Sequence, residues 1–463
     1  PKETHHTNTS MSGGIWITPV DAQSALEYMT ALCRVSGRPG MSWTDRAVIR
    51  AWAEYSATSK DWAYARGANM FENAGPGEHP HLPGGAQLSK HRFRGMGVGL
   101  ARFLDQQVNH NKVSVLYDTR AGHLLTNLRG RVIGVEVEAS QGGRKRKMRI
   151  RATKGVILAP GGFEHDERAK LNYLRVFPTF FTGSEALTGD GLRMSLDVGA
   201  ELWHMNCVSA RFLLKFRELP WGFAVDYLGK AQLAKAPGKG EDDIPVTSGY
   251  IIVDRDGKRF TSENVKGHAS YYELALFDSH RLIYPRVPSF FIFDSKRMAN
   301  GPLTGVTSGP AGPTRLYQWS ADNSAELEKG WIKTANTIRG LAKKIGVPPE
   351  ALEKTVRTFN RYCQKGKDPE FGRRDRELIP VDNPPYFATE LWPGGPNTQG
   401  GPRRNSKGQV LNADGNPIPG LYGAGELGSV YGMLYPGGGG NLCEGFAFGR
   451  IIGEEIVKEK SGT

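Results

Sequence analysis

The chain is poor in cysteine and has no pair close together: Cys33, Cys207, Cys363 and Cys443 are scattered over 463 residues. Clustered thiols are what a disulfide scaffold or a structural zinc site needs, so both are excluded. No apolar run approaches the ~18 residues that span a bilayer, which argues against an integral membrane protein. Recognition helices and RNA-binding aromatic motifs are missing too, so no nucleic-acid partner is expected. Nor is the chain built like a disordered one, because its hydrophobic residues (39%) recur along the whole length.

What is present begins with charge and glycine. Sixty Lys and Arg against 47 Asp and Glu give a net charge of +13. The one tight basic cluster, Arg144 to Arg151, sits between strand-like segments and reads as a solvated hairpin edge. An anionic ligand is the better use of the excess. Glycine numbers 59, well above an average share of about 7%. It falls in short clusters between apolar runs, the pattern of tight turns where backbone approaches a ligand.

Periodicity then organises the chain. Asp21 caps a predicted helix through about Val35, Ser42 to Asp45 opens a second to about Lys60, and Val98, Leu100, Phe103, Leu104 and Val108 mark a third. The intervening 72–94 reads as loop. Val113 to Tyr117, Ala121 to Asn127, Arg131 to Ala139 and Lys147 to Arg151 alternate as antiparallel strands. Val156 to Ala159 is all apolar and runs into Pro160-Gly161-Gly162-Phe163, as a strand buried on both faces and ending at a ligand-facing turn would. Helical patterns occupy 192–198, 325–344 and 349–365. Residues 382–404 read as Pro/Gly-rich loop, and a final helix spans about Cys443 to Lys460.

Five stretches in order carry a family resemblance: Ser12-Gly13-Gly14, Ala159-Pro160-Gly161-Gly162-Phe163, Thr188-Gly189-Asp190-Gly191, Val253 to Phe260 (VDRDGKRF) and Gly420 to Glu426 (GLYGAGE). Together the sequence resembles the flavoprotein family of 3-ketosteroid Δ1-dehydrogenases and fumarate reductase flavoprotein subunits. The resemblance implies an α/β fold: a doubly wound, glutathione-reductase-like FAD-binding domain with an inserted α+β substrate-capping domain. The expected division is 1–243 and 386–463 for the flavin domain and 244–385 for the cap. The family's opening strand, GxGxxG turn and helix are not found, and Pro1 to Ser10 matches the family segment just beyond that unit. A truncated chain, an unseen leading segment and a separate small chain carrying the unit all remain open.

The resemblance also assigns roles. Ser12, Gly13, Gly14, Ala159, Gly161, Gly162, Asp190, Gly425, Glu426, Asn441 and Leu442 are expected to line FAD, with Glu426 at the ribityl hydroxyls. Tyr435 and Gly439 occupy the positions that polarise the ketone in ketosteroid dehydrogenases, and Tyr271 or His268 is the candidate base. The arginines and the histidine that clamp a dicarboxylate in fumarate reductases are replaced: Asn397 stands where the histidine would, and Leu434-Tyr435 precede the last glycine run. Thr7 falls where a covalently flavinylated histidine would be, so non-covalent FAD is expected, with a link through His5 or His6 as the alternative. The expected activity is dehydrogenation forming a C=C bond next to a ketone on a bulky apolar small molecule. Reduction of an activated alkene, or service as the large chain of a split flavoenzyme, are the alternatives. The expected location is cytoplasmic.

Overall fold

A computed structural model describes residues 6–73, 75–141, 143–229, 246–263 and 267–460. The architecture is mixed α/β and divides into two compact units. Pro1–Leu174, Ser184–Ser209 and Asn397–Thr463 form the first; Arg175–Gly183 and Ala210–Pro396 form the second. The division therefore falls at 209/210 and 396/397, where the sequence reading divides at 243/244 and 385/386. Strand Val208–Lys215 explains the earlier first boundary, because it sits between Gly222–Ala224 and Tyr386–Thr398 in the second unit's sheet.

In the first unit, Ile15–Pro19 pairs antiparallel with Leu88–Phe93, which pairs in turn with Met70–Glu72. Asp21 caps helix Ala22–Leu32 by accepting from the Ser24 N–H at 2.7 Å, as the sequence predicts. Tyr28 and Met29 from that helix, Trp52 from helix Arg46–Tyr64, and Phe448 and Ile452 from the final helix Gly440–Ile456 form one buried cluster. This core joins the two ends of the chain. Val156–Leu158 lies parallel to Pro417–Gly423, which pairs on its other side with Gln409–Leu411. A separate three-stranded sheet runs 119–126, 132–141, 144–151. Its basic last strand is paired in part across the sheet, Lys145 with Glu138 at 2.7 Å and Arg149 with Glu136 at 3.4 Å.

The second unit is built on a sheet in the order 222–224, 208–215, 386–398, 289–294, 250–253. Its apolar strands YIIV and SFFIFD are buried at every position. Helix Pro349–Lys365 starts on a proline, ends at Gly366 with φ +63°, and buries Leu352, Val356 and Phe359 at helical spacing.

Four sequence expectations are corrected. Residues 386–398 are a long strand, because Gly394 permits an approach to the Phe180 carbonyl that a Cβ, 2.1 Å away, would block. The 72–94 loop contains the strand Leu88–Phe93. The helical run 325–344 is interrupted: Gly330 at φ +71° ends the first turn, and Lys333–Ala335 pairs with 386–388. Val113 to Tyr117 lies outside any strand, with Val113, Val115, Leu116 and Tyr117 each about half exposed. Strand propensity without a neighbour to pair with produces no strand.

Candidate functional site

The glycine turns of the first unit converge with the start of the final helix. Gly161 has φ +83°, and a Cβ there would lie 2.3 Å from a Leu187 methyl and 3.6 Å from Glu426 Oε2. A Cβ at Gly162 would lie 2.0 Å from Thr398 Oγ1. Gly425, at φ +73°, faces open space where a Cβ would point, as does exposed Gly438. Val156–Leu158 leads into this region but is covered on one side: Leu158 is buried and Ile157 is 46% exposed. The expectation of a strand buried on both faces is corrected there.

Two carboxyl groups stand beside these turns. Glu426 is half-buried and accepts from Asn8 Nδ2 at 2.7 Å, while Asn8 Oδ1 accepts from the Ser184 N–H at 2.8 Å. Glu164 is fully buried; its Oε1 accepts from the Thr398 N–H (2.7 Å) and hydroxyl (3.0 Å), and its Oε2 has no partner. Loss of solvent raises both carboxyls above their ordinary range, and the charge of Glu426 raises Glu164 further. Asn8 and Asn441 oppose the rise at Glu426.

The final helix begins with Gly439 as N-cap, so no cap side chain is available. Tyr435 fills that role: its hydroxyl accepts from the Asn441 N–H at 2.9 Å. The phenol is buried against Tyr431 and holds its proton above the ordinary tyrosine range because it is desolvated. Gly439 itself has φ +93° and touches the first strand, where an added Cβ would lie 2.4 Å from the Ile15 carbonyl oxygen. Gln399 Nε2 donates to Asn441 Oδ1 at 3.5 Å, and Gln399 Oε1, buried, has no partner. Leu442 sits in the first turn, half-buried.

Other expected cofactor residues are engaged within the protein. Ser12-Gly13-Gly14 packs against helix Met96–His110: Gly97 N–H donates to the Ser12 carbonyl at 3.0 Å, and a Gly14 Cβ would meet the Met96 backbone at 2.4 Å. Asp190 is clamped by Arg120, at 2.7 Å from both Nε and Nη2, and by Arg193; these charges hold its carboxyl below the ordinary range. Ala159 is exposed beside the turn. His6 is half-buried, and His5 lies outside the described residues.

Tyr271 and His268 belong to the second unit, both buried in the 3-10 segment His268–Ala275. Tyr271 Oη lies 3.4 Å from Thr179 Oγ1, and burial raises its pKa, the direction opposite to what a tyrosine base needs. Asn8, Glu164, Thr398 and Gln399 are site residues that sequence reasoning missed. Glu164 had a signal, a carboxylate just beyond a glycine turn; Asn8 had none, because its partner lies 418 residues away.

These groups suit FAD. The acceptors at Glu426, Glu164 and Gln399 match a polyhydroxylated chain, the two open glycines leave backbone accessible, and the helix start stabilises negative charge. Among the described residues no three His, Cys, Asp or Glu are grouped to hold a metal, and no helix is long and apolar enough to cross a membrane.

The profile of the FAD binding domain family matches residues 15–442. A 3-oxosteroid 1-dehydrogenase of Mycobacterium tuberculosis is 31% identical over 330 residues, 67% of this chain and 54% of that protein. A fumarate reductase (cytochrome) of Shewanella frigidimarina is 29% identical over 428 residues, 90% of this chain and 64% of that protein. The chain thus spans little more than half the length of the first of these relatives. Its fold matches the crystal structure of a 3-ketosteroid Δ1-dehydrogenase from Sterolibacterium denitrificans with a TM-score of 0.80 at 22% identity, covering 98% of this chain and 93% of that one.

Proposed function

Because the chain belongs to the FAD binding domain family, we propose that it serves an FAD-dependent dehydrogenase that forms a C=C bond next to a ketone on a bulky apolar substrate. The observation that carries this reading is the Tyr435 hydroxyl held at the start of the final helix by the Asn441 N–H. A phenol anchored there is aimed by the fold rather than left to rotate, which is what polarising a carbonyl requires. FAD, when bound, supplies the two-electron acceptor for the hydride that leaves the β carbon.

The chain's own residues supply the rest. Glu426 and Asn8 receive the cofactor's hydroxyls, and the glycines at 425 and 438 leave room for its backbone contacts. Tyr435 donates to the substrate ketone oxygen with the Gly439 amide beside it, which acidifies the α C–H. Tyr271 or His268 takes that proton, and the electron pair left behind becomes the new double bond. Of the two, His268 is favoured, because an imidazole needs no lowered pKa to act as a base whereas a tyrosine does, and burial raises that of Tyr271. Asn397 in place of a histidine and the missing arginines make a dicarboxylate the poorer substrate. FAD attachment is non-covalent in this reading, and acid precipitation that releases the yellow colour would confirm it.

Anaerobic mixing of the flavin-loaded protein with a 3-ketosteroid tests the reading. Bleaching of the flavin band is expected. If the reduced protein is instead reoxidised by fumarate while the steroid leaves the band unchanged, the alkene-reductase alternative takes its place.

A further inference from the structure

Arg404 is wholly buried and belongs to none of the sequence motifs, yet it joins two of them. Its Nη1 donates to the Gly423 carbonyl at 2.6 Å and its Nη2 to the Gly425 carbonyl at 3.3 Å. The same Nη2 is paired with Glu444, which is also buried and sits one turn into the final helix. The guanidinium lies over the Phe448 ring, 4.8 Å from its centroid. One side chain therefore ties the turn that presents Glu426 to the helix whose start carries Tyr435.

We propose that Arg404 is a positioning residue for the cofactor: it fixes the backbone from which Glu426 departs and locks that turn to the final helix through Glu444. This rests on the FAD reading above. Gly425 has φ +73° and nothing near its Cβ position. Such a residue has wide backbone freedom, so the direction of Glu426 must be set from elsewhere. Arg404 grips the carbonyls on both sides of Ala424, and the planar guanidinium fixes their spacing as a lysine could not. Stability alone is a weak reason to keep this pair. Burial lowers the arginine's pKa and raises Glu444 to about 7, and apolar replacements of buried pairs are often as stable. What an apolar pair cannot do is hold two carbonyls in a defined orientation.

The experiment compares the native chain with Arg404→Met/Glu444→Leu, which removes both charges together. FAD affinity is read by quenching of flavin fluorescence, and folding by thermal melting. The double variant is expected to melt within a few degrees of native and to bind FAD at least tenfold more weakly. Adding Glu426→Gln to it should cost much less than Glu426→Gln costs the native chain, because both act through the same contact. Arg404→Lys keeps the charge opposite Glu444 and covers the case in which the double variant fails to fold; it should fold and still bind weakly. Native affinity in either folded variant, or losses that add fully, overturns the positioning role. A native chain that takes up no FAD overturns the cofactor reading and this inference with it.

Discussion

The Tyr435 hydroxyl accepts a hydrogen bond from the Asn441 N–H at 2.9 Å, so a tyrosine six residues upstream caps the final helix that its glycine N-cap leaves bare. Accepting does not use the hydroxyl's own hydrogen, which is the atom a substrate ketone would need. Tyr435→Phe therefore separates two effects. Loss of the cap acceptor should cost about 1 kcal/mol of stability, read by urea unfolding. Loss of the donor should lower turnover about 10²–10³-fold with a much smaller change in KM. Normal turnover in the destabilised variant would remove Tyr435 from the chemistry.

Glu164 and Glu426 make stability depend on pH in a fixed direction. Both carboxyls are raised from the ordinary value of 4.5, through desolvation and, at Glu164, the neighbouring Glu426 charge. As pH climbs past 4.5 the unfolded chain releases these protons before the native one does. The native state then binds more protons, and stability falls as pH rises until the folded groups have also ionised. The opposing contacts are Asn8 and Asn441 at Glu426 and Thr398 at Glu164, all neutral, so none reverses the sign. Melting temperature should decline from pH 5 toward pH 8, and Glu164→Gln should flatten the decline. An unchanged slope would mean that Glu164 is already ionised at pH 5.

The parts of this protein legible in its sequence are those set by local chemistry. Asp21, the proline of Pro349–Lys365 and the Asp256-Gly257 turn declare themselves through capping and turn preferences. The order of glycine motifs is enough to reach the family. Residues 386–398 read as loop because Gly394 and its neighbouring prolines have loop chemistry; only the approach of Phe180 makes glycine a strand residue there. Asn8 with Glu426 and Thr398 with Glu164 are illegible for a related reason. Each contact is set by the packing of segments more than 200 residues apart, about which neither partner's neighbours say anything.

Gly439 reads as an ordinary member of a glycine run, yet its environment makes it irreplaceable. An alanine there would combine φ +93° with a Cβ 2.4 Å from the Ile15 carbonyl oxygen and 2.5 Å from Trp16 Cα. Backbone cannot yield as a flexible side chain would. Gly439→Ala should cost on the order of 3 kcal/mol by urea unfolding. Gly438→Ala, one residue earlier with nothing within 4 Å of its Cβ position, should cost under about 1 kcal/mol. Equal costs at the two positions would show that the strand Ile15–Pro19 shifts to accommodate the methyl.

Arg259 in the second unit offers the sharpest test of a buried charge. Its Nε and Nη2 bond the two carboxylate oxygens of Glu263 at 2.7 and 2.6 Å, and Nη2 also reaches Asp368 at 2.8 Å. The arginine side chain is 2% exposed and both acids 0%, so water cannot replace what the guanidinium provides. Arg259→Met leaves two carboxylates without their main counter-charge. Arg373 remains, 3.7 Å from Glu263, but its Nη1 is committed to the Tyr250 carbonyl. The expected loss is about 3–5 kcal/mol at pH 7. It should shrink as the pH is lowered, because Asp368, whose carboxyl the Arg259 hydrogen bond and charge hold below the ordinary range against its burial, then takes up a proton and becomes neutral. Arg259→Met/Glu263→Gln/Asp368→Asn should recover most of the loss at neutral pH by removing the charges instead of stranding them. A single variant that unfolds at the native urea midpoint, with no dependence on pH, would show that Arg259 is not the counter-charge on which the buried cluster depends.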